Sequence, residues 1–177
     1  NRCREILKKL TLNPNIDDKF LDIDLSISDY VHEIVRSYEE ISNKEFIINL
    51  ENFKNPIKTQ KSTEIIYGLR NFIGNANKFS NKKVKIYLKS DNKNTEVKIL
   101  DDGPGFPKDL IDSHKLGEPY IRSTRKSDIS KYGLGLGTFI GKTLLEKNFA
   151  KIKFENINQN GGAKVEIIWA NPDLNKI

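Results

Sequence analysis

The sequence predicts a two-layer α/β sandwich, in which a mixed, mostly antiparallel sheet carries helices on one face. Three observations predict this fold class. Apolar residues recur at helical spacing in residues 62–80, as in a helix that packs on a sheet. Apolar and polar residues alternate in two neighbouring segments, 83–89 and 95–100, which is typical of a β-hairpin. A further helix and two further strands are expected downstream, at 139–147, 151–156 and 164–169.

The composition excludes several classes of protein. A chain of 177 residues is long enough for one domain with a short appendage. Its net charge of +6 comes from basic residues scattered among acidic ones, so no nucleic-acid partner is expected. One cysteine and two histidines exclude an intrachain disulfide and disfavour a structural zinc site. No apolar run reaches the roughly 20 residues of a membrane-spanning helix, and the first residues do not form a signal peptide.

The first residues form an element of their own. Four of them are spaced as one face of a helix, namely Cys3, Ile6, Leu7 and Leu10. Pro14 ends this helix, because proline cannot continue a helical hydrogen-bond ladder. We expect residues 1–13 to be the C-terminal end of a longer helix that begins upstream, and residues 14–177 to form the main domain.

The following segments lead to the first long helix. Residues 21–27 alternate between apolar and polar, but the run merges into a helical pattern. We predict Ser28 as the N-cap of this helix, with Asp29 in its first turn. A strand is then expected at residues 45–50.

The helix that packs on the sheet has two different faces. The apolar face consists of Ile65, Leu69, Phe72, Ile73 and Ala76. On the other face, Asn71, Asn75 and Lys78 are spaced at i, i+4 and i+7. Asparagine is a poor helix former, and a glycine inside a helix costs about 1 kcal/mol relative to alanine. Asn77 and Gly74 weaken the same two turns, so we expect a ligand there, with close backbone approach at Gly74.

A strand end supplies another candidate contact. Asp101 ends the second hairpin strand, and its carboxylate can accept a hydrogen bond from an exocyclic amine. Gly103 and Gly105 would allow close approach of a ligand, although an ordinary Asp-Gly turn is the alternative. Residues 106–132 show little periodicity, and we predict that they form a lid.

The segment GLGLG at residues 133–137 precedes a helix, where backbone N–H groups can bind an anion. A flexible linker is the alternative, and the spacing fits neither a dinucleotide fingerprint nor a Walker A loop. Asparagine oxygens suit Mg²⁺ that is also held by phosphates. Together these features predict a nucleotide site, with three candidates in the lid for a γ-phosphate contact, Arg122, Arg125 and Lys126.

The order of these motifs resembles a known family. N-x-x-x-N-A-x-K-F from Asn71, D-x-G-x-G from Asp101 and G-x-G-x-G from Gly133 resemble the N, G1 and G2 boxes of sensor histidine kinases. These boxes belong to the ATP-binding domain of the GHKL superfamily. The resemblance covers about residues 15–170 and implies the Bergerat ATP-binding fold, with ATP and Mg²⁺ as ligands.

The resemblance also implies roles for individual residues. Asn75 is expected to bind Mg²⁺, and Asp101 is expected to accept from the adenine amine. The implied catalytic residues are Asn71, Lys78 and Arg125. The implied nucleotide-binding residues are Asn71, Asn75, Lys78, Phe79, Asp101, Gly103, Gly105, Tyr120, Gly133, Leu134, Gly135, Leu136 and Gly137.

Several segments resemble the RegB/PrrB branch of redox-responsive kinases, among them YGLRNFIGNA, DDGPGFP, LGEPY and GLGLGTFIGKTLLEK. In that branch a cytosolic cysteine near the dimerisation helices is tied to redox control, so Cys3 is a redox candidate. A cysteine that simply lines a helix seam is an equal alternative. Neither His32 nor His114 lies in a phosphoacceptor motif, so the acceptor histidine is expected upstream of Asn1.

The resemblance therefore implies a histidine autokinase that passes the γ-phosphate of ATP to this upstream histidine. A response regulator receiver domain would be its partner, and the upstream helices would form a homodimer. The segment would be the cytoplasmic part of a kinase anchored in the inner membrane. An ATP hydrolase of the same superfamily and a nucleotide-binding interaction module are the alternatives. Hydrolysis is disfavoured because Asn71 replaces the glutamate general base of those enzymes, and an amide cannot take up a proton.

Overall fold

The computed structural model describes residues 24–54, 56–119, 136–158 and 161–177. Several of the predicted features lie outside these residues. They are the N-terminal helix with Cys3, most of the predicted lid, and the site candidates Tyr120, Arg122, Arg125, Lys126, Gly133, Leu134 and Gly135.

Helices and strands alternate along the described chain. In chain order they are β1 (Leu25–Ser26), α1 (Ile27–Glu39), β2 (Glu45–Phe53), β3 (Lys58–Thr59), α2 (Thr63–Phe79), β4 (Lys83–Ser90), β5 (Asn94–Asp101), α3 (Lys108–Asp112), α4 (Leu136–Lys147), β6 (Lys151–Asn158), β7 (Gly161–Ala170) and α5 (Asn171–Leu174).

Five strands form the main sheet, in the order β2-β4-β5-β7-β6. Strands β2 and β4 pair in parallel, whereas the other three pairs are antiparallel. Strands β1 and β3 form a separate two-stranded sheet. The prediction of a mixed, mostly antiparallel sheet is therefore confirmed.

The core lies between one face of this sheet and helices α1, α2 and α4. In β4, Val84, Ile86 and Leu88 are at most 1% exposed, whereas the residues between them keep contact with solvent. This alternation follows from the pleat of a strand, which sends successive side chains to opposite faces. The apolar stripe predicted for α2, from Ile65 to Ala76, is buried against the same face. The sheet and the helices thus form the two predicted layers.

Helix α1 begins two residues earlier than predicted. Its N-cap is Ser26, whose backbone N–H and hydroxyl both donate to Asp29 Oδ2, at 2.8 and 2.7 Å. The backbone N–H of Asp29 donates to Ser26 Oγ in return, which completes a capping box. The prediction of Ser28 as the cap is wrong, because Asp29 is three residues from Ser26 and Ile27 is buried in the first turn. Ser28 Oγ lies 3.2 Å from His32 Nδ1 instead.

Helix α4 also begins earlier than predicted, at Leu136 rather than at Phe139. Its first turn contains Gly137, which packs against α2 and so forms a helix despite its low propensity. Strand β2 runs to Phe53, three residues beyond its predicted end, and an irregularity in its pairing lies at Asn52 (φ 43°). Helix α3 lies within the segment for which no regular structure was predicted.

Among the residues that the structure describes, no helix is both long enough and apolar enough to cross a bilayer.

Candidate functional site

Two carboxamides of α2 lie against the first turn of α4. A Cβ atom placed on Gly137 would lie 3.5 Å from Asn71 Oδ1 and 3.6 Å from Asn75 Oδ1. Both oxygens therefore flank the same stretch of bare backbone. A Cβ atom at position 137 would make only ordinary van der Waals contact with them, whereas a longer side chain would occupy the space next to both oxygens.

The nitrogen ends of both carboxamides already have partners. Asn71 Nδ2 donates to the carbonyl oxygen of Tyr67, one turn earlier in α2, at 2.8 Å. Asn75 Nδ2 donates to Thr138 Oγ1 at 3.4 Å. Because the donor end of each amide is used within the protein, the oxygen end of each is the one left to act as an acceptor or as a metal ligand.

A second glycine brings α4 close to Asn71 and Asn75, the two carboxamides that form the polar row of α2. A Cβ atom on Gly141 would lie 3.1 Å from Asn71 Cβ and 3.2 Å from the ring of Phe72. Gly137 and Gly141 are four residues apart and therefore share one face of α4. The sequence interpretation did not identify Gly141 or Thr138 as site residues, because nothing in the local pattern shows which helix they contact.

Two residues that lower the helix propensity of this part of α2 take part in packing. A Cβ atom on Gly74 would lie 2.5 Å from the hydroxyl of Tyr38, so the close approach at this glycine is made by α1. Asn77 Oδ1 accepts a hydrogen bond from Ser42 Oγ at 2.7 Å. The explanation of Gly74 by ligand approach is therefore corrected, because a neighbouring helix occupies that space.

Lys78 and Phe79 end the same helix. Lys78 is exposed, and its Nζ lies 5.1 Å from the centroid of the Phe79 ring. This distance is within the range of a cation–π contact. The carbonyl oxygen of Phe79 closely approaches Gly103, where a Cβ atom would collide with it. The end of α2 is thereby joined to the loop that follows β5.

Asp101 occupies the predicted strand end and is only 9% exposed. Its Oδ1 accepts hydrogen bonds from the backbone N–H groups of Gly103, at 2.8 Å, and Ala163, at 3.3 Å. Burial raises the pKa of this carboxyl, and the two backbone donors oppose the shift. A buried carboxyl with one oxygen fixed by the main chain is suited to present its other oxygen to a ligand donor.

Asp102 has a different role that the sequence did not reveal. Its Oδ1 accepts from the backbone N–H groups of Asn81, Lys82 and Lys83, at 2.8 to 3.2 Å. Partial burial alone would raise the pKa of Asp102, but these donors outweigh it and hold the pKa below its usual value. Asp102 therefore fixes the connection between α2 and β4.

Strand β6 fixes the backbone that follows Gly105. Asn156 Oδ1 accepts from the backbone N–H of Phe106 at 2.7 Å, and Asn156 Nδ2 donates to its carbonyl oxygen at 3.0 Å. Gly105 has a φ of +79°, and a Cβ atom there would lie 2.7 Å from Asn156 Oδ1. The ring of Phe106 packs edge-on against Phe154, with centroids 5.6 Å apart. Contacts with β6 thus hold the loop after Asp101 in place.

The chemistry of the donors limits which cation this site could hold. Among the residues described by the structure, no group of three or more His, Cys, Asp or Glu side chains could hold a metal ion. The paired amide oxygens of Asn71 and Asn75 are hard, neutral ligands. Such ligands suit Mg²⁺ only when phosphate oxygens and waters complete the coordination shell. The site therefore fits a cation that arrives with a polyphosphate.

These features converge on one kind of ligand. A buried acceptor at a strand end suits the amine of a purine base, whereas amide oxygens beside a helix start suit phosphates with a divalent cation. The fold and the candidate site together have the features expected of a nucleotide-binding α/β sandwich. A family model described as Histidine kinase-, DNA gyrase B-, and HSP90-like ATPase matches residues 60–173, and the chain belongs to this family.

Curated relatives agree with this assignment. The chain is 36% identical over 121 residues to the sensor histidine kinase RegB of Cereibacter sphaeroides. This match covers 60% of this chain and 26% of RegB. The chain is 34% identical over 76 residues to the sensor protein kinase PilS of Pseudomonas aeruginosa, and this match covers 43% of this chain and 13% of PilS. The chain thus spans about a quarter or less of the length of these relatives. The expected resemblance to histidine kinases, including RegB, is confirmed.

Solved structures show the same fold. The mycobacterial sensor histidine kinase MprB aligns with a TM-score of 0.66 at 22% identity, over 85% of this chain and 97% of that one. A nucleotide-free catalytic domain of the histidine kinase ThkA aligns with a TM-score of 0.67 at 21% identity, over 84% and 97% of the two chains. The predicted fold class is therefore confirmed.

Proposed function

We propose that this chain is the ATP-binding catalytic portion of a two-component sensor histidine kinase. In this proposal it transfers the γ-phosphate of ATP to a histidine outside the given sequence, from which a response regulator receiver domain takes the phosphate. The observation that carries the proposal is the convergence of Asn71 Oδ1 and Asn75 Oδ1 beside Gly137, with both amide nitrogens engaged elsewhere. This arrangement supports Mg²⁺-dependent binding of a nucleotide.

The phosphate end of the site would be held by α2 and by the start of α4. Asn75 and Asn71 would supply oxygen ligands to Mg²⁺ or to its bound waters, and the cation would neutralise phosphate charge. Lys78, one turn beyond Asn75, would add a positive charge close to the phosphates. The backbone N–H groups at Leu136 and Gly137 lie at a helix start, where negative charge is favoured. Gly133, Leu134 and Gly135 remain proposed contacts on the basis of the family pattern.

The adenine end would be held at the end of β5. Asp101 would accept from the exocyclic amine through the carboxylate oxygen that the main chain does not fix. Gly103 and Gly105 shape this loop by allowing it to approach Phe79 and Asn156. The proposed pocket lining also includes Tyr120.

The proposed chemistry is transfer rather than hydrolysis. Asn71 cannot accept a proton from water, so this helix position provides no general base. Phosphoryl transfer depends mainly on positioning and on charge stabilisation, which Asn71, Lys78 and Arg125 would supply. The nucleophile would be the acceptor histidine.

The partners follow from this proposal. A homodimer through upstream helices would present the acceptor histidine, and an anchor in the inner membrane would hold the whole kinase. Cys3 remains a redox candidate beside the alternative of a helix-seam residue. The basic residues are scattered among acidic ones in the sequence, so we propose no nucleic-acid partner.

A labelling experiment tests the proposed activity. The chain would be mixed with a separate dimerisation domain that carries an acceptor histidine, in the presence of Mg²⁺ and ATP labelled at the γ-phosphate. We expect acid-labile, base-stable label on the dimerisation domain, and none when its histidine is replaced by glutamine. The proposal would be overturned if the chain bound ATP stoichiometrically but transferred no label to the dimerisation domains of several related kinases.

A further inference from the structure

Thr138 lies at the third position of α4 and links this helix to the polar row of α2. Its Oγ1 lies 3.4 Å from Asn75 Nδ2, and the side chain is partly buried. The two residues are 63 positions apart in the chain. The contact therefore exists only because α4 packs on α2.

The two carboxamides of the site are oriented in different ways. Asn71 Nδ2 donates to a carbonyl of its own helix at 2.8 Å, so α2 alone sets the direction of this amide. Asn75 Nδ2 donates to a side chain of another helix. Because an amide can rotate to exchange its nitrogen and oxygen ends, the orientation of Asn75 depends on what its nitrogen meets.

We propose that Thr138 is a positioning residue, which accepts from Asn75 Nδ2 and thereby directs Asn75 Oδ1 toward the nucleotide-bound cation. The inference rests on the proposed binding of Mg²⁺ and ATP. Thr138 itself touches neither ligand in this account. It acts by holding the amide in the orientation in which the cation meets oxygen rather than an NH₂ group.

The position of Gly137 supports this role. Asn75 Oδ1 lies 3.6 Å and Asn75 Nδ2 lies 3.7 Å from the place of a Cβ atom at Gly137. Without a side chain there, neither end of the amide is blocked by position 137. Position 137 therefore does not select either end, and Thr138 Oγ1 is the partner that the structure places 3.4 Å from the Nδ2 end of this amide.

The test compares three variants of the chain by calorimetric titration with ATP, once with Mg²⁺ and once with EDTA. Thr138→Val keeps the shape of the side chain but removes the hydroxyl, and Thr138→Ser keeps the hydroxyl. Thr143→Val is the matched control, because Thr143 is exposed on the same helix. Thermal unfolding of each variant checks that the fold is retained.

We expect Thr138→Val to weaken ATP binding about three- to tenfold with Mg²⁺, the effect of one lost neutral hydrogen bond, and to leave binding in EDTA unchanged. Thr138→Ser should restore most of the loss, and Thr143→Val should match the unmodified chain. Unchanged affinity of Thr138→Val with Mg²⁺, or an equal loss with and without Mg²⁺, would overturn the inference. If the unmodified chain itself gained no affinity from Mg²⁺, the proposed metal site would fail, and the inference with it.

Discussion

Asn75 and Asn77 lie two residues apart on α2, yet their carboxamides have different surroundings. Asn75 Oδ1 lies beside the first turn of α4, whereas Asn77 Oδ1 accepts from Ser42 at 2.7 Å. The Asn75 amide is the one proposed to meet a ligand, whereas the Asn77 amide binds the segment that connects α1 and β2. Residue type alone does not distinguish these roles, because each depends on which neighbour the folded chain supplies.

This difference gives a matched pair of variants. Asn75→Ala should weaken ATP binding in Mg²⁺ about tenfold or more, because an oxygen ligand of the cation is lost, and should have little effect in EDTA. Asn77→Ala should bind ATP normally but lower the free energy of unfolding by about 1 kcal/mol, through loss of one hydrogen bond. Titration calorimetry and chemical denaturation measure the two quantities. Normal Mg²⁺-dependent affinity in Asn75→Ala would contradict the metal role.

The adjacent carboxyls Asp101 and Asp102 give a second pair. In Asp101→Asn, the amide oxygen should take the place of Oδ1, since two backbone N–H groups donate there. The NH₂ group would then face the donor amine of adenine, so ATP affinity should fall at least about tenfold. Asp102→Asn should keep its affinity but lose about 1 kcal/mol of stability, a loss that solvent screening keeps small. A variant Asp101→Asn with normal affinity would exclude the adenine contact.

The pH dependence provides an independent check on Asp101. Burial raises the pKa of this carboxyl, so it becomes protonated at a higher pH than an exposed aspartate. Protonation of the oxygen that the main chain does not fix would place an O–H donor against the adenine amine, and the affinity for ATP should therefore decrease as the pH falls towards this raised pKa. The protonation of ATP itself affects the unmodified chain and Asp101→Asn equally, so the ratio of their two affinities isolates the effect of Asp101. A ratio that stays constant as the pH is lowered from neutrality towards the ordinary pKa of an aspartate would contradict the assignment.

Ionisation of the two carboxyls has opposite effects on the stability of the fold. The pKa of Asp102 is lowered in the fold, so its contribution is present above the unfolded pKa and is lost as pH falls through the folded pKa. The pKa of Asp101 is raised, so its ionised form costs stability at neutral pH. Asp102 thus supports the fold, whereas Asp101 keeps a costly buried charge that a ligand donor can use.

Helices α2 and α4 pack closely against each other at glycines. Gly68 of α2 faces Leu145, which is fully buried, and Gly141 of α4 faces Phe72. These glycines lower helix propensity, but they let the two helices approach each other. In the proposed function this approach matters because it places Gly137 and Thr138 next to Asn71 and Asn75.

This contact predicts a coupled effect on stability. A Cβ atom on Gly68 would lie 2.5 Å from Leu145 Cδ2, so Gly68→Ala should overpack the interface and lower the free energy of unfolding by about 1–2 kcal/mol. Leu145→Ala alone should cost about 2–5 kcal/mol through the cavity that it leaves. In the double variant the new methyl group fills part of that cavity. Chemical denaturation of all four proteins should therefore show a total loss smaller than the sum, and additive losses would contradict the predicted contact.

The starts of helices show where local patterns are ambiguous. Ser26 and Ser28 are both acceptable N-caps, but only Ser26 has an aspartate three residues later with which it forms a capping box. The start of α4 is ambiguous for a related reason, since a glycine-rich sequence does not by itself favour a helix. Packing of Gly137 and Gly141 against α2 favours it. For α4 a contact outside the short window of the pattern determined the boundary, whereas for α1 a local capping pair did.

For the whole molecule, the layer structure and the family could be predicted from the sequence. The alternation in β4, β5 and β7 and the apolar stripe of α2 each mark a face that must be buried, and the faces fit one sheet under helices. The family match over residues 60–173 agrees with the family that the motif order indicated. Periodicity succeeds here because it records burial directly, and burial provides most of the driving force for folding.

The amino-acid sequence by itself determined which side chains face the core, which strands form the hairpin, and which motifs carry the acceptors Asn71, Asn75 and Asp101. The tertiary structure decided the rest: that α1 rather than a ligand approaches Gly74, that Asp102 fixes a turn, and that Thr138 faces Asn75. The reason is physical. A local pattern specifies which side of an element is apolar, but contacts between residues far apart in the chain depend on how complete elements pack together.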